Sequence, residues 1–218
     1  MKKLQIRNST EEYYCGKIVC VGRNYVEHAK ELGNELPEFP LIFLKPASSI
    51  ILSGENVIHP SFSQNLHYEA ELVLLIGEEV SKADKEKADK TIAGYTVGLD
   101  MTARDVQNEL AKKGHPWTIA KCFDTSAVLS DFILRKDYEL NFDESIILKV
   151  NGEVKQNSQL NKMIFKPADI VSYISGIMKL EKGDLIFTGT PAGVGKVIIG
   201  DKLEAELTSV AKLETAIT

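Results

Sequence analysis

The chain has 218 residues, with 26 basic and 31 acidic side chains and a formal net charge of −5. That balance, with a pI near 5.5, argues against a nucleic-acid partner. No stretch has the length and apolar character of a membrane span or a signal peptide, so a cytoplasmic protein with no membrane partner is expected.

Residues 1–16 read as a short leader, and 17–218 as one domain that opens with a strand over 17–21, ended by Gly22. Residues 24–33 suit a short helix, with Asn24 as cap, Glu27 three residues on and Gly33 as stop. On that helix His28 and Glu31 share a face, where a carboxylate can hold an imidazole ready to accept a proton from water. A surface ion pair is the plainer reading of the same spacing. Residues 41–46 are apolar and strand-like up to Pro46, and Ser48, Ser49, Gly54 and Pro60 mark turns.

Read as one strand, residues 67–76 place Tyr68, Ala70, Leu72, Leu74 and Ile76 on one apolar face and His67, Glu69 and Glu71 on the other. Two neighbouring carboxylates repel unless water or a cation separates them. A hard divalent ion is therefore the functional reading, and a solvated acidic face the plain one. The lysine-rich segment 82–90 suits a solvated turn or short helix. Residues 92–100 form a further strand, with Gly98 marking a bulge or close approach and Asp100 at the end, where ligands tend to be mounted.

Residues 101–114 suit a helix capped by Asp100 or Thr102, apolar at 103, 106 and 110, with Arg104 and Gln107 on one face. After a turn at 115–117, residues 118–124 read as a strand carrying a lone lysine, Lys121. Such a lysine is a candidate electrostatic catalyst, or an edge-strand or snorkelling residue. Asn151-Gly152 marks a two-residue hairpin over 146–156. From Pro167, the apolar residues Ile170, Val171, Ile174, Ile177 and Met178 recur at helical spacing.

The glycine-rich segment 188–196 lacks P-loop spacing, and Val197 stands where Ser or Thr is required. It suits a rigid loop offering threonine hydroxyls and backbone N–H groups to a small anion. An alternating strand follows over 203–207. Cys15, Cys20 and Cys122 lack paired metal-site spacing and read as buried reduced thiols.

Glu69, Glu71 and Asp100, with the run 100–107 after the last, resemble the metal-binding signature of the fumarylacetoacetate hydrolase superfamily. Residues 22–25 (GRNY), 43–46 (FLKP), 121–124 (KCFD), 150–153 (VNGE) and 188–191 (TGTP) match further motifs in family order over about 17–207. The likeness is strongest to the short acylpyruvase and oxaloacetate decarboxylase members. After Asp124, however, many relatives carry a Pro-x-Gly-Pro segment that this chain lacks.

The resemblance implies an α+β, mainly β fold: a mixed β-roll with a few short helices, making 17–218 a single catalytic domain and the protein a homodimer. It also implies Mg²⁺ or Mn²⁺ held by Glu69, Glu71 and Asp100, and the donor chemistry agrees, because three carboxylates without thiolate or clustered imidazole suit a hard ion. By the same likeness, His28 and Glu31 form the water-activating dyad, carried on a segment that orders over substrate. Lys121 and Gln107 stabilise oxyanion or enolate charge, and Arg23 and Thr190 contact substrate. The implied activity is cleavage of a C–C bond in small 2-oxo or 2,4-dioxo acids through a metal-bound enolate, by acylpyruvate hydrolysis or oxaloacetate decarboxylation. Tautomerisation of oxaloacetate or isomerisation of a 2-hydroxy-diene dioic acid is the alternative, and a catalytically silent metal-binding protein the third.

Overall fold

The computed structural model describes residues 2–31, 33 and 35–218. Strand Ala70–Ile76 carries no polar side chain after Glu71, and the chain covers both its faces. It pairs antiparallel with Ile92–Asp100 on one side and with Leu185–Phe187 on the other. Leu72, Leu74 and Ile76 sit in the larger core, while Val73 and Leu75 sit in a second cluster with Cys20, Leu185 and Phe187. Hydrocarbon on both faces gives no solvated acidic face, and Glu69 and Glu71 are only 5% and 2% exposed.

Among the described residues the main sheet runs Leu41–Pro46, Lys17–Gly22, Leu185–Phe187, Ala70–Ile76, Ile92–Asp100, Ala127–Leu129 and Ile50–Leu52. Leu185–Phe187 pairs parallel with Lys17–Gly22, and Ala127–Leu129 with Ile50–Leu52; the other neighbours are antiparallel. A second sheet is built on the hairpin of Ser145–Val150 and Glu153–Gln159, extended by Lys202–Leu207 and Ala211–Ala216. Its turn residues, Asn151 (φ 51°) and Gly152 (φ 81°), are both left-handed, as a two-residue hairpin of this type requires. Helix Pro167–Ile177 packs on helix Lys85–Thr91 and buries Ile170, Val171 and Ile174. The whole is mainly β with a few short helices, the mixed β-roll expected. No helix among the described residues is long and apolar enough to cross a membrane.

Several local expectations are corrected. Residues 67–76 are two strands, Leu66–Tyr68 and Ala70–Ile76, broken at Glu69. Leu66–Tyr68 pairs instead with Gly195–Val197 and Thr102–Ala103, so the break lets one segment serve two sheets. Lys121 lies on a short helix, Thr118–Lys121, where Lys121 N donates to Trp117 O at 3.1 Å and Cys122 N to Thr118 O at 2.8 Å, rather than on a strand over 118–124. The next helix toward the N-terminus is Arg104–Lys112. It starts later than expected and has no side-chain cap, since Asp100 and Thr102 remain in strands.

That helix turns its polar residues Arg104 and Gln107 inward, and Val106 and Leu110 are only half-buried. The first helix is Val26–Glu31; Leu32, within the expected span, lies outside the described residues, as does Met1 of the leader. Asn24 does not cap it. Its amide instead donates to Phe165 O (2.9 Å) and Thr188 O (2.7 Å) and accepts from Phe165 N (2.7 Å), clamping two distant loops. Ile177, at the end of its helix, is exposed. Lys2–Lys3 pairs with Tyr14–Cys15, and Leu4 and Tyr13 join the smaller core. The three cysteines are free thiols; Cys15 and Cys20 are buried as expected, but Cys122, at the end of its short helix, is only half-buried.

Candidate active site

Strand register brings the acidic residues together. Ala70 faces Leu99 and Glu71 faces Gly98, and the Asp100 N–H donates to Glu69 O at 2.9 Å, which pins the break beside the strand end. Gly98 marks a close approach rather than a bulge. A Cβ there would lie 2.8 Å from Val73 Cγ2 and 2.9 Å from Phe187 Cε1. The carboxylates of Glu69, Glu71 and Asp100 converge so that one oxygen from each lies within 4.8 Å of the others.

Three buried cations surround them. Lys121 Nζ lies 2.7 Å from both Glu69 Oε2 and Asp100 Oδ2, and donates to Thr102 Oγ1 at 2.6 Å. Arg104 pairs with Glu69 Oε1 and donates to Gln107 Oε1 at 2.5 Å. Lys45 donates to Ser126 O (3.0 Å) and Ser126 Oγ (2.9 Å), and its ammonium stands 2.9 Å from Asp100 Oδ1. That last contact is an ion pair without hydrogen-bond geometry, so Asp100 Oδ1 keeps no hydrogen-bond donor.

Burial alone would raise the Glu69 carboxyl, but Lys121 and Arg104 outweigh it and hold the group well below the usual carboxylate range. Burial would likewise lower the Lys121 ammonium, yet Asp100 and Glu69 keep it above its ordinary value. Glu71 goes the other way. Burial first, then the charges of Asp100 and Glu69, push its carboxyl well above normal. Its hydrogen bond comes from the Gly189 N–H at 2.6 Å, and no cationic side chain among the described residues pairs with it.

This donor set fits a hard divalent cation. It offers carboxylate oxygens only, one of them without a donor, and one carboxylate that needs positive charge to ionise.

The dyad lies on the same cavity. His28 is buried, its Nδ1 is 3.1 Å from Glu31 Oε2, and Glu31 Oε1 accepts from the Gly193 N–H at 3.1 Å. The glycine-rich loop was expected to meet a small anion; its N–H groups at Gly189 and Gly193 instead hold the protein's own Glu71 and Glu31. Gly189 (φ 97°) must be glycine here, since a Cβ would sit 2.7 Å from that of Asn24. His67 lies beside the site, its Nε2 3.0 Å from Asn65 Oδ1, and burial followed by the Arg104 charge lowers its imidazole to about 4.

One cavity of about 360 Å³ is lined by Arg23, His28, Glu31, Gln107, Lys121 and Thr190 together with the three carboxylates. Every residue singled out from the sequence for this chemistry therefore reaches the same space. The Thr190 hydroxyl is engaged within the protein, donating to Ala70 O at 2.9 Å and accepting from Gln156 Nε2 at 2.8 Å. Phe43 and Trp117 form an apolar wall. Lys45 and Arg104 escaped attention as site residues. Lys45 carried the signal used for Lys121, a lone lysine in an apolar run, and Arg104 was placed on the Gln107 face without a partner.

Fold and site together define a β-roll protein with a carboxylate centre suited to a divalent ion. The family model for the fumarylacetoacetate (FAA) hydrolase C-terminal region matches residues 17–218, and the chain belongs to this family of enzymes. It is 45% identical over 214 residues to an uncharacterized protein of Pyrococcus abyssi, covering 98% of this chain and 95% of that one. It is 43% identical over 197 residues to the mitochondrial oxaloacetate tautomerase of Bos taurus, covering 90% and 89%. Fumarylpyruvate hydrolase from Pseudomonas aeruginosa, solved in complex with Mn²⁺ and pyruvate, shares the fold with a TM-score of 0.95. It is 37% identical, and the match covers 99% of this chain and 95% of the other.

Proposed function

We propose that the protein catalyses enolate chemistry on small 2-oxo acids with Mg²⁺ or Mn²⁺ held by Glu69, Glu71 and Asp100, and that proton transfer on an oxaloacetate-like acid is its main reaction. The observation that carries this reading is the buried His28–Glu31 pair on the cavity that also receives the three carboxylates and Lys121. When bound, the ion would supply Lewis acidity toward the keto group of a 2-oxo acid.

The residues supply the rest. Glu31 takes the Nδ1–H of His28, which leaves Nε2 as the base that removes a proton from the carbon next to the keto group. The Lys121 ammonium stabilises the charge that develops on the enolate oxygen. Gln107 spends its carbonyl on Arg104, so its amide N–H groups remain as donors toward the same charge. Returning the proton to oxygen completes tautomerisation, which requires no water. Thr190 and Arg23, both on the cavity wall, contact the substrate.

The second reading is C–C cleavage of a 2,4-dioxo acid, in which the same dyad activates a water that attacks the distal carbonyl. The likeness to fumarylpyruvate hydrolase favours it. Oxaloacetate tautomerisation, oxaloacetate decarboxylation and acetylpyruvate hydrolysis are to be assayed with Mn²⁺ and with EDTA, for the wild type and His28→Ala. Chelator-sensitive tautomerisation that His28→Ala abolishes supports the proposal. Full tautomerisation by His28→Ala sinks it, and hydrolysis as the fastest reaction puts the second reading first.

We further propose a homodimer. Leu41–Pro46 is an outer strand with exposed Leu44, and Leu41, Phe43, Leu44 and Trp117 line an apolar groove beside it, where a second copy would cover edge and groove together. A monomeric mass in light scattering would rule this out.

A further inference from the structure

Building on the ion site proposed above, we infer that Gln156 is a positioning residue for the acidic centre. From the second sheet it fixes the backbone between Glu69 and Glu71, so that both carboxylates are aimed at one divalent ion.

Ala70 separates the two glutamates, and as in any strand residue its N–H and C=O point to the same side. That side faces strand Leu185–Phe187, whose pairing ends at Val73, and the Thr188 N–H that follows reaches only Leu72 O, at 3.1 Å. Ala70 is fully buried, so its two backbone groups would be costly if left unpaired. Side chains take the place of the missing ladder. Gln156 Oε1 accepts from Ala70 N at 3.0 Å, and Thr190 Oγ1 donates to Ala70 O at 2.9 Å. Gln156 Nε2 donates to Thr190 Oγ1 and to Pro191 O, both at 2.8 Å, so one amide spends its carbonyl and both N–H groups on this corner. The same loop carries Gly189, whose N–H holds Glu71 Oε2.

A bulge brings Gln156 there. Strand Glu153–Gln159 is exposed or half-exposed at every other position, and Gln156 is its one buried residue. The register against Ser145–Val150 runs from Leu148 opposite Gln156 to Lys149 opposite Val154, which leaves Lys155 unpaired and turns Gln156 inward. Packing alone would be served by an apolar side chain at that position. A glutamine whose three polar contacts all fall beside Glu69 and Glu71 serves geometry. The bulge is seated on the loop as well. A Cβ on Gly193 would collide with Lys155 O, and the Gly193 N–H holds Glu31 of the dyad. Hairpin and loop thus meet without slack, and one amide carries the hairpin's position to Ala70.

Mn²⁺ titration followed by electron paramagnetic resonance tests this with Gln156→Met, which keeps the side chain's length and removes all three polar contacts. Ser175→Ala is the comparator. Ser175 is also buried, and its hydroxyl likewise accepts from a backbone N–H, that of Ala83 at 3.0 Å, on a helix outside the cavity. Both variants are expected to melt below the wild type, since each orphans a buried N–H. Gln156→Met alone should bind Mn²⁺ about 10–100-fold more weakly and alter the zero-field splitting of the bound ion. Ser175→Ala should keep the wild-type affinity and spectrum. Should Gln156→Met fail to fold, Gln156→Asn, which carries the same groups on a stem one methylene shorter, is titrated in its place with the same expected direction.

Wild-type Mn²⁺ affinity in the Gln156 variant, or equal weakening in Ser175→Ala, overturns the inference. Failure of the ion site itself shows elsewhere, as a wild type that holds no Mn²⁺.

Discussion

Two ion pairs in this molecule have the same length and different meanings. Lys121–Glu69 and Lys90–Glu86 both measure 2.7 Å, but the first pair's side chains are 3% and 7% exposed and the second's 70% and 80%. On the helix surface, water screens the charges and competes for each partner. In the cavity wall burial weakens that screening, so a charge left without its counter-charge costs more and a small change in the set is felt by its neighbours. The site is thus a network of five paired charged side chains, Lys45, Glu69, Asp100, Arg104 and Lys121, and beside it stands Glu71, with no cationic partner among the described residues.

Breaking the buried set should have the largest effect. Asp100→Asn removes the counter-charge of Lys45 and one of the two that Lys121 holds, and is expected to cost about 3–5 kcal/mol in urea denaturation along with all activity. Unchanged stability would show that these pairs do not hold the fold. His28→Ala is expected to lower turnover about 10²–10⁴-fold while leaving the melting temperature nearly in place, because the dyad stands at the edge of that network. A stability loss as large as that of Asp100→Asn would place His28 inside it.

Glu144 sharpens the contrast from outside the site. It is buried with Oε2 lacking a donor, and burial raises its carboxyl to about 7. A folded-state value above the ordinary 4.5 means that its contribution is full at acidic pH and is lost as pH rises through about 7. Glu144→Gln should therefore stabilise the protein at pH 8 by about 1 kcal/mol and leave it unchanged at pH 4, seen as a difference in melting temperature. Equal shifts at both values would exclude titration as the cause. The smallest effect belongs to Lys90→Ala, expected to alter stability by about 0.5 kcal/mol or less. A loss comparable to that of Asp100→Asn would erase the distinction between the two pairs.

Much of the site was legible because it is written in short spacings. Glu69 and Glu71 stand two residues apart about a strand start, His28 and Glu31 are one helical turn apart, and Asp100 closes an apolar run, so each could be read from its neighbours. The partners of these groups could not be read this way. That Lys45 meets Asp100, or that Arg104 meets Glu69 through a helix whose polar side faces inward, follows from sheet order and helix docking rather than from local pattern.

Thr118–Lys121 misled because a short apolar run with one lysine reads as a strand, while the chain closes a single helical turn there. Asn24 misled in the other direction, as a good cap residue used as a clamp between loops. The final strand, Ala211–Ala216, was overlooked despite a visible signal, since Ala211, Leu213 and Thr215 alternate with exposed Lys212 and Glu214.

Mn²⁺ titration of the purified protein, with free ion followed by electron paramagnetic resonance, bears on the acidic centre most directly when wild type is compared with Glu71→Gln. Glu71 suits this purpose because no cationic side chain among the described residues pairs with it, so the substitution takes no ion-pair partner from a buried ammonium or guanidinium there. One ion held per wild-type chain, and more than about tenfold weaker binding by Glu71→Gln, is the expected result. No Mn²⁺ held by the wild type, or equal affinity in the two proteins, would contradict a divalent ion seated among Glu69, Glu71 and Asp100.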